Sequence, residues 1–146
     1  MEWQKDEYTV STDLARFDLE LIHYHLSEVA YWSQGIPLEV VQKSFANSLS
    51  FGIFRGEEMI GWARLITDRA TFAYLADVYV LEAHRGGGLS KWLMECIQAH
   101  PELQGLRRWM LATRDAHGLY TQYGFRPIAA PERWMERHFP DVYKQS

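Results

Sequence analysis

Val78-Tyr79-Val80-Leu81-Glu82-Ala83-His84-Arg85-Gly86-Gly87-Gly88-Leu89-Ser90 carries an apolar strand into three consecutive glycines, which open straight into an amphipathic helix. That order builds an anion site out of main chain. Glycines let successive N–H groups turn toward one point with no Cβ in the way. A helix start adds unpaired donors and the positive end of the helix dipole. A pyrophosphate is the natural guest of such a site. The helix itself is written in Leu89, Trp92, Leu93, Cys96, Ile97 and His100, whose i, i+3, i+4, i+7 spacing makes one buried face. Ser90, Lys91, Glu95 and Gln98 fall on the other face, and Pro101 ends the run because a proline disfavours helix at the residue before it. Acids are welcome in a first helical turn, yet none occurs from Arg85 to Met94. That suits a site reserved for a ligand's negative charge.

Three phosphate motifs compete for this loop. A Walker-type loop needs Gly, four residues, then Gly-Lys-Ser/Thr, and Lys91 is preceded by Ser90 and followed by Trp92. A dinucleotide fingerprint needs G-x-G-x-x-G; Gly86 and Gly88 supply the first two glycines, but Lys91 holds the third place. The third reading is a coenzyme A loop. Arg85-Gly86-Gly87-Gly88-Leu89-Ser90 resembles the Arg/Gln-x-x-Gly-x-Gly/Ala signature of the GNAT family of N-acetyltransferases. It departs from that signature at Ser90, which is small enough to preserve close backbone approach. A second block lies downstream. Leu119-Tyr120-Thr121-Gln122-Tyr123-Gly124-Phe125 is similar to the family's Leu-Tyr-x-x-Leu/Phe/Tyr-Gly-Phe ending and follows the short strand Trp109 to Thr113.

The other elements follow from pattern. Tyr8 to Val10 is expected as a short first strand, and Asp18 caps a helix running to about Ser27. Ala30 to Ile36 reads as a loop, and Pro37 opens a second helix. Ser50 to Arg55 and Met59 to Thr67 form a hairpin around Gly56-Glu57, and Thr71 to Val80 is the next strand. After the long helix come Trp109 to Thr113, a short helix closed at Gly124, and a last strand over Trp134 to Phe139, for which a helix is the alternative. The resemblance implies the matching fold: an α/β (α+β), mostly antiparallel mixed sheet flanked by helices and splayed between its fourth and fifth strands.

The resemblance also implies roles. Acetyl-CoA would lie in the gap between Thr71–Val80 and Trp109–Thr113. Its pantetheine would pair like an extra strand with the segment Val78, Tyr79 and Val80. The amides of Arg85, Gly86, Gly87, Gly88, Leu89 and Ser90 would take the pyrophosphate. The Val78 amide would polarise the thioester carbonyl. Tyr120 matches the family's general acid: a phenol near pKa 10 stays protonated beside a thiol near 8.5. Asp77, a carboxylate inside an apolar strand, is either the base that serves the amine or one half of a structural ion pair. His117, one turn before Tyr120, is a second proton carrier or a capping and packing residue. The family's cofactor-binding Asn has no counterpart in Arg114-Asp115-Ala116-His117-Gly118. Tyr31, Trp32 and Tyr74, with Ile36 and Trp134, are the acceptor-pocket candidates. Such an aromatic wall suits an apolar or cationic amine, or simply closes the core.

Composition bounds the alternatives. The 146 residues make one expected domain, 1–146, with 47% apolar residues for a sizeable core. A net charge of −4 gives nucleic-acid binding no electrostatic basis. The lone Cys96 excludes an internal disulfide, and its place on the buried helix face makes it a core residue. His23 and His25 diverge on their helix, no His-Glu-x-x-His occurs, and no metal is expected. His84 is expected to be exposed. Met1 to Val10 has no apolar leader segment, and no apolar run is long enough for a membrane span, so a cytoplasmic protein is expected. The partner is a small-molecule or peptide amine; neither nucleic acid nor membrane is expected, and a homodimer is allowed. Two other classes remain at this stage: a non-catalytic acyl-CoA-binding regulatory module, and an interaction protein whose glycines are only a turn.

Overall fold

The computed structural model describes residues 1–144. Six strands lie side by side in chain order: β1 (Glu2–Lys5), β2 (Tyr8–Ser11), β3 (Leu49–Arg55), β4 (Glu58–Thr67), β5 (Phe72–Val80) and β6 (Arg108–Leu111). Every neighbouring pair is antiparallel except β5–β6, which is parallel. A parallel pair needs a crossover, and helix α3 (Leu89–Ala99) supplies it. Helices α1 (Leu19–Tyr24) and α2 (Leu38–Ala46) cover the opposite face. The sheet therefore has two cores. Leu93, Met94 and Ile97 of α3 pack with Phe51, Ala63 and Leu75 on one side. Ile22, Val41 and Phe45 pack with Phe54 and Trp62 on the other. Covered on both faces, β3 is buried without a break from Leu49 to Phe54.

Local chemistry sets the boundaries. Asp18 accepts a hydrogen bond from the Leu21 amide at 3.0 Å and caps α1 as expected. The helix then widens into a π-turn over His25–Val29, a distortion frequent at functional sites. Gly124 closes the short helix α4 (His117–Thr121) at φ +90°.

Two expectations about the sheet change. It has a strand before Tyr8: Glu2–Lys5 pairs with Tyr8–Ser11 across a turn in which Asp6 sits at φ +55°, a conformation Asp tolerates. Only Trp3 among its residues packs on a core, too little alternation to announce a strand. At the other end, Trp134 to Phe139 forms neither strand nor helix. Its alternate positions do not bury: Met135 is 97% exposed and Phe139 61%. Pro127, Pro131 and Pro140 around it also withhold ladder donors.

The splay is present. β6 matches β5 only from Phe72–Arg108 to Leu75–Leu111, so β5 beyond Leu75 has no strand neighbour on that edge. With β1 counted, the opening lies between the fifth and sixth strands.

Candidate active site

A bulge arranges the residues at this opening. Opposite β4, Arg64 pairs with Asp77 and Leu65 with Leu75, so Ala76 is an extra residue on β5. Side chains alternate along a strand, and the extra residue shifts the alternation by one. Tyr74 before the bulge and Asp77 and Tyr79 after it consequently share the face toward α1 and α2. Ala73, Leu75, Val78 and Val80 share the face toward α3.

The backbone of β5 divides by edge. Leu81 donates its amide to Ile60 O at 2.8 Å, and a Cβ on Gly61 would come within 2.9 Å of Tyr79 O. Tyr79 and Leu81 thus turn their peptide groups toward β4, and Val78 and Val80 turn theirs toward the gap. Tyr79, expected among the cofactor-pairing residues, spends its main chain in the sheet. Val80 O is satisfied as well, because Arg85 Nε donates to it at 2.8 Å. The Arg85 guanidinium folds back over the Tyr79 ring, 4.9 Å from its centroid, rather than into the glycine loop.

That loop forms a cradle of donors. Gly86 has φ +88° and Gly88 φ +82°, conformations that favour glycine. Gly88 also caps α3 with no side-chain bond, and no acid stands in the first turn. Among the described residues, the amides of Gly86, Gly87, Gly88, Leu89, Ser90 and Lys91 have no partner. All of these residues but Gly87 line a cavity of about 190 Å³, whose wall also includes Val80 and Leu119. Nothing lies within 4 Å of a Cβ placed on Gly86, Gly87 or Gly88, so the space over the amides is open. An anionic diphosphate fits this donor set. His84, expected to be exposed, is half-buried, with Nδ1 3.3 Å from the Tyr8 hydroxyl.

Tyr120 is buried on α4, against Phe125 and the α3 core. Burial pushes its phenol above the ordinary value of 10, which keeps it protonated and able to donate. Its hydroxyl has no hydrogen-bond partner among the described residues. His117 stands exposed at the first residue of α4. The structure does not bring it into contact with Asp77. Cys96 is buried, and desolvation with the nearby Glu95 raises its thiol to about 12, which makes it inert.

The face toward α1 and α2 is built of side chains. Arg64 Nε donates to Asp77 Oδ2 at 2.8 Å, and Arg64 Nη1 donates to Ser48 Oγ at 3.2 Å. Asp77 is thus one half of a mostly buried ion pair, while its Oδ1 has no partner among the described residues. His25, dismissed above as a metal ligand, is buried with its ring stacked 3.6 Å from that of Tyr79 and edge-on to Trp62 at 5.5 Å. Desolvation and the nearby Arg85 charge lower its pKa, against an opposing pull from Asp77. Tyr74 is half-buried on the same face. Tyr31 and Trp32 stand 57% and 54% exposed on the loop before α2, in edge contact at 5.1 Å. Ile36 belongs to the α1–α2 core rather than to an open wall. Trp134, expected at the acceptor pocket, stands away from this face: it lies beside Arg108 and Thr71, with the Arg108 guanidinium 4.6 Å from its ring, at the start of β6. Sequence reading missed Arg64, His25 and Arg114, whose guanidinium carbon lies 3.8 Å from the Tyr31 ring centroid. Only Arg64 left a signal, as a lone cation in the apolar run from Met59 to Ile66. Among the described residues, no cluster of His, Cys, Asp or Glu could hold a metal, and no helix is long and apolar enough to cross a membrane.

A mixed sheet opened beside a parallel pair, with a main-chain anion cradle at its mouth and a buried phenol alongside, defines an acyltransferase. The chain belongs to the Acetyltransferase (GNAT) family, whose model matches residues 3–125. It is 50% identical to a proposed GNAT acetyltransferase from Xanthomonas campestris pv. campestris; that likeness covers 97% of this chain and 100% of the other, with a TM-score of 0.93. It is 33% identical to the proposed acetyltransferase FG08082 of Gibberella zeae, over 81% of this chain and 78% of that one. A GNAT acetyltransferase from Elizabethkingia anophelis, solved with acetyl-CoA bound, shares the fold at 15% identity, over 92% of this chain and 90% of the other, with a TM-score of 0.63.

Proposed function

We propose that this protein is a cytoplasmic N-acetyltransferase that moves an acetyl group from acetyl-CoA to the primary amine of a small molecule, amino-acid derivative or peptide. The observation that carries the reading is the run of unpartnered amides from Gly86 to Lys91, opening onto the unpaired edge of β5. When bound, acetyl-CoA supplies an activated acetyl thioester. The amides of Gly86 to Lys91 hold its diphosphate. The gap-facing peptide groups of Val78 and the Val80 amide orient the chain that follows, since orphaned main-chain groups require partners.

The Val78 N–H is the donor for charge developing on the carbonyl oxygen. Tyr120 O–H donates to the departing sulfur; its raised pKa means that the phenol carries its proton at neutral pH. On the opposite face, Asp77 Oδ1 receives the acceptor ammonium and takes its proton while Arg64 fixes the carboxylate. His117 is the remaining proton carrier, on the solvent side of α4.

Calorimetric titration with coenzyme A, followed by turnover with an amine panel, tests the reading. Micromolar binding and acetyl transfer to some amine are expected. Binding without transfer to any amine would favour a regulatory acyl-CoA-binding module, and an absence of binding would end both readings.

A further inference from the structure

The loop Ala30 to Ile36 holds its two large aromatics in solvent although the loop itself is pinned. Ser33 Oγ donates to Leu26 O at 2.7 Å, the Gly35 amide donates to Ser27 O at 3.1 Å, and His23 Nε2 donates to Ile36 O at 2.9 Å. From behind, the C-terminal segment packs against it: a Cβ on Gly35 would sit 3.0 Å from Tyr143 O. Tyr31 and Trp32 are therefore presented outward rather than left unpacked by a loose segment. Isolated exposed apolar residues need no explanation, but a contiguous pair on a fixed loop does.

Across the gap, the segment between β6 and α4 sends Arg114 onto this pair. Its guanidinium carbon lies 3.8 Å from the Tyr31 ring centroid. Arg114 is exposed and makes no ion pair among the described residues, although Asp115 is next to it in the chain. The cation–π place on Tyr31 is thus already filled, which removes the reason to expect a cationic group there. The other charges on this face point the same way. Asp77 is engaged by Arg64, and Arg85 lies over Tyr79. On the face toward α1 and α2, Arg85 is thus a second cation beside a carboxylate that already has a partner.

We propose that the acceptor is an amine that also bears an oxyanion, a carboxylate or a phosphonate-like group, bound by the Arg114 fork while its carbon skeleton lies on Tyr31 and Trp32. This rests on the transferase reading. A planar guanidinium matches such oxyanions with two parallel N–H donors, and its seat over the Tyr31 ring holds it in place before the ligand arrives.

The test uses pairs of matched amines: ω-amino carboxylates of graded length and 4-(aminomethyl)benzoate, each beside its carboxamide, with 4-(aminomethyl)phenylphosphonate as the second anion. Binding to the coenzyme A-loaded protein is read by calorimetry, and kcat/KM by thiol release. For the best pair, the anion is expected to bind roughly 10- to 100-fold tighter than the carboxamide, the scale of a hydrogen bond to a charged group. Arg114→Gln is expected to erase that ratio, and Arg114→Lys to keep part of it, with coenzyme A affinity unchanged in both. Preference for the benzoate over the phosphonate, or the reverse, identifies the oxyanion. Carboxamides that bind as well as anions, a ratio that survives Arg114→Gln, or no binding by any pair to the loaded protein would each overturn the proposal. Failure of the transferase reading shows separately, in the coenzyme A titration itself, and takes the proposal with it.

Discussion

The two sides of the opening are made differently. The side toward α3 is main chain: glycine amides, the first turn of a helix and the free edge of β5. The side toward α1 and α2 is side chain: Arg64, Asp77, Tyr79, His25 and the Tyr31–Trp32 pair, drawn from separate elements. A backbone site needs one contiguous segment, and its requirements fall on residue type at fixed spacing. A side-chain site is assembled by packing, so its members are scattered along the sequence. On the proposed function, the first kind holds the donor common to the reaction and the second selects the acceptor.

The strongest way to break this contrast is to put a side chain into the backbone side. Gly88→Val places a branched Cβ at φ +82°, a conformation that strains it, so the turn must shift and the amides lose their common aim. Losing two or more charge-assisted hydrogen bonds at about 1.5–3 kcal/mol each weakens coenzyme A binding by roughly a thousandfold. The cap-site strain lowers stability by only about 1–2 kcal/mol. Calorimetry and a thermal melt separate the two effects. Retention of near-native affinity would mean that the diphosphate is held by side chains after all.

Next in size is Tyr120→Phe, which keeps the ring packed on Phe125 and removes only the hydroxyl. Turnover should fall about a hundredfold, the lower end of general acid catalysis, with coenzyme A affinity within about twofold. An equal loss in both would make Tyr120 a packing residue and leave α4 outside the chemistry.

On the acceptor side, the Arg64–Asp77 pair should couple stability to activity, as the glycine cradle does not. Arg64→Met strands Asp77, whose side chain is 8% exposed, and should cost about 3 kcal/mol, the scale for a broken buried pair. Asp77→Asn keeps the shape and leaves Arg64 its Ser48 contact, so stability should fall less while kcat falls and the KM for the amine rises. A denaturant series on both variants, with KM and kcat recorded, checks the order. If Asp77→Asn proved kinetically silent, the pair would be a fastener of β4 to β5 alone.

This contrast also explains what could be read in the sequence. The glycine loop, α3 and the Leu119 to Phe125 block were legible because periodicity and glycine placement are local properties. The order of elements along the chain followed from turn and strand signals, and their arrangement in one sheet from the family resemblance, apart from β1, where one packed tryptophan gives no alternation, and the stretch from Trp134, whose aromatics imitate a strand without a face to bury. The bulge at Ala76 left no mark in residue type, yet it decides that Tyr74 and Asp77 share a side. Arg114 was invisible as a partner of Tyr31 because their contact joins two loops, each without a periodic pattern. Asp77 could be singled out as a carboxylate in need of an explanation, but the choice between base and ion pair required the register that places Arg64 opposite it.

The smallest effect sharpens the comparison through pH. His25 belongs to the side-chain half and is held neutral chiefly by burial, and His100, under Trp3 and Phe51, is held neutral for the same first reason. Both titrate below the ordinary value of 6.5 in the folded protein, so the unfolded chain takes up protons first as the medium is acidified. Stability is therefore complete above pH 6.5 and drains away below it, until the folded imidazoles also protonate. Asp68, held down mainly by hydrogen bonds from Thr71, acts in a separate window that opens only below its ordinary 3.8. His25→Phe preserves a ring between Tyr79 and Trp62 but cannot titrate. Denaturant midpoints at pH 7.5 and 5.0 should lie closer together for this variant than for the parent, with His100 supplying the slope that remains. Coenzyme A affinity should show no such dependence on His25, because the glycine amides carry no titratable group. An unchanged slope in His25→Phe would mean that the imidazole already exchanges protons with solvent, and that the acceptor side is open where the ring stack closes it.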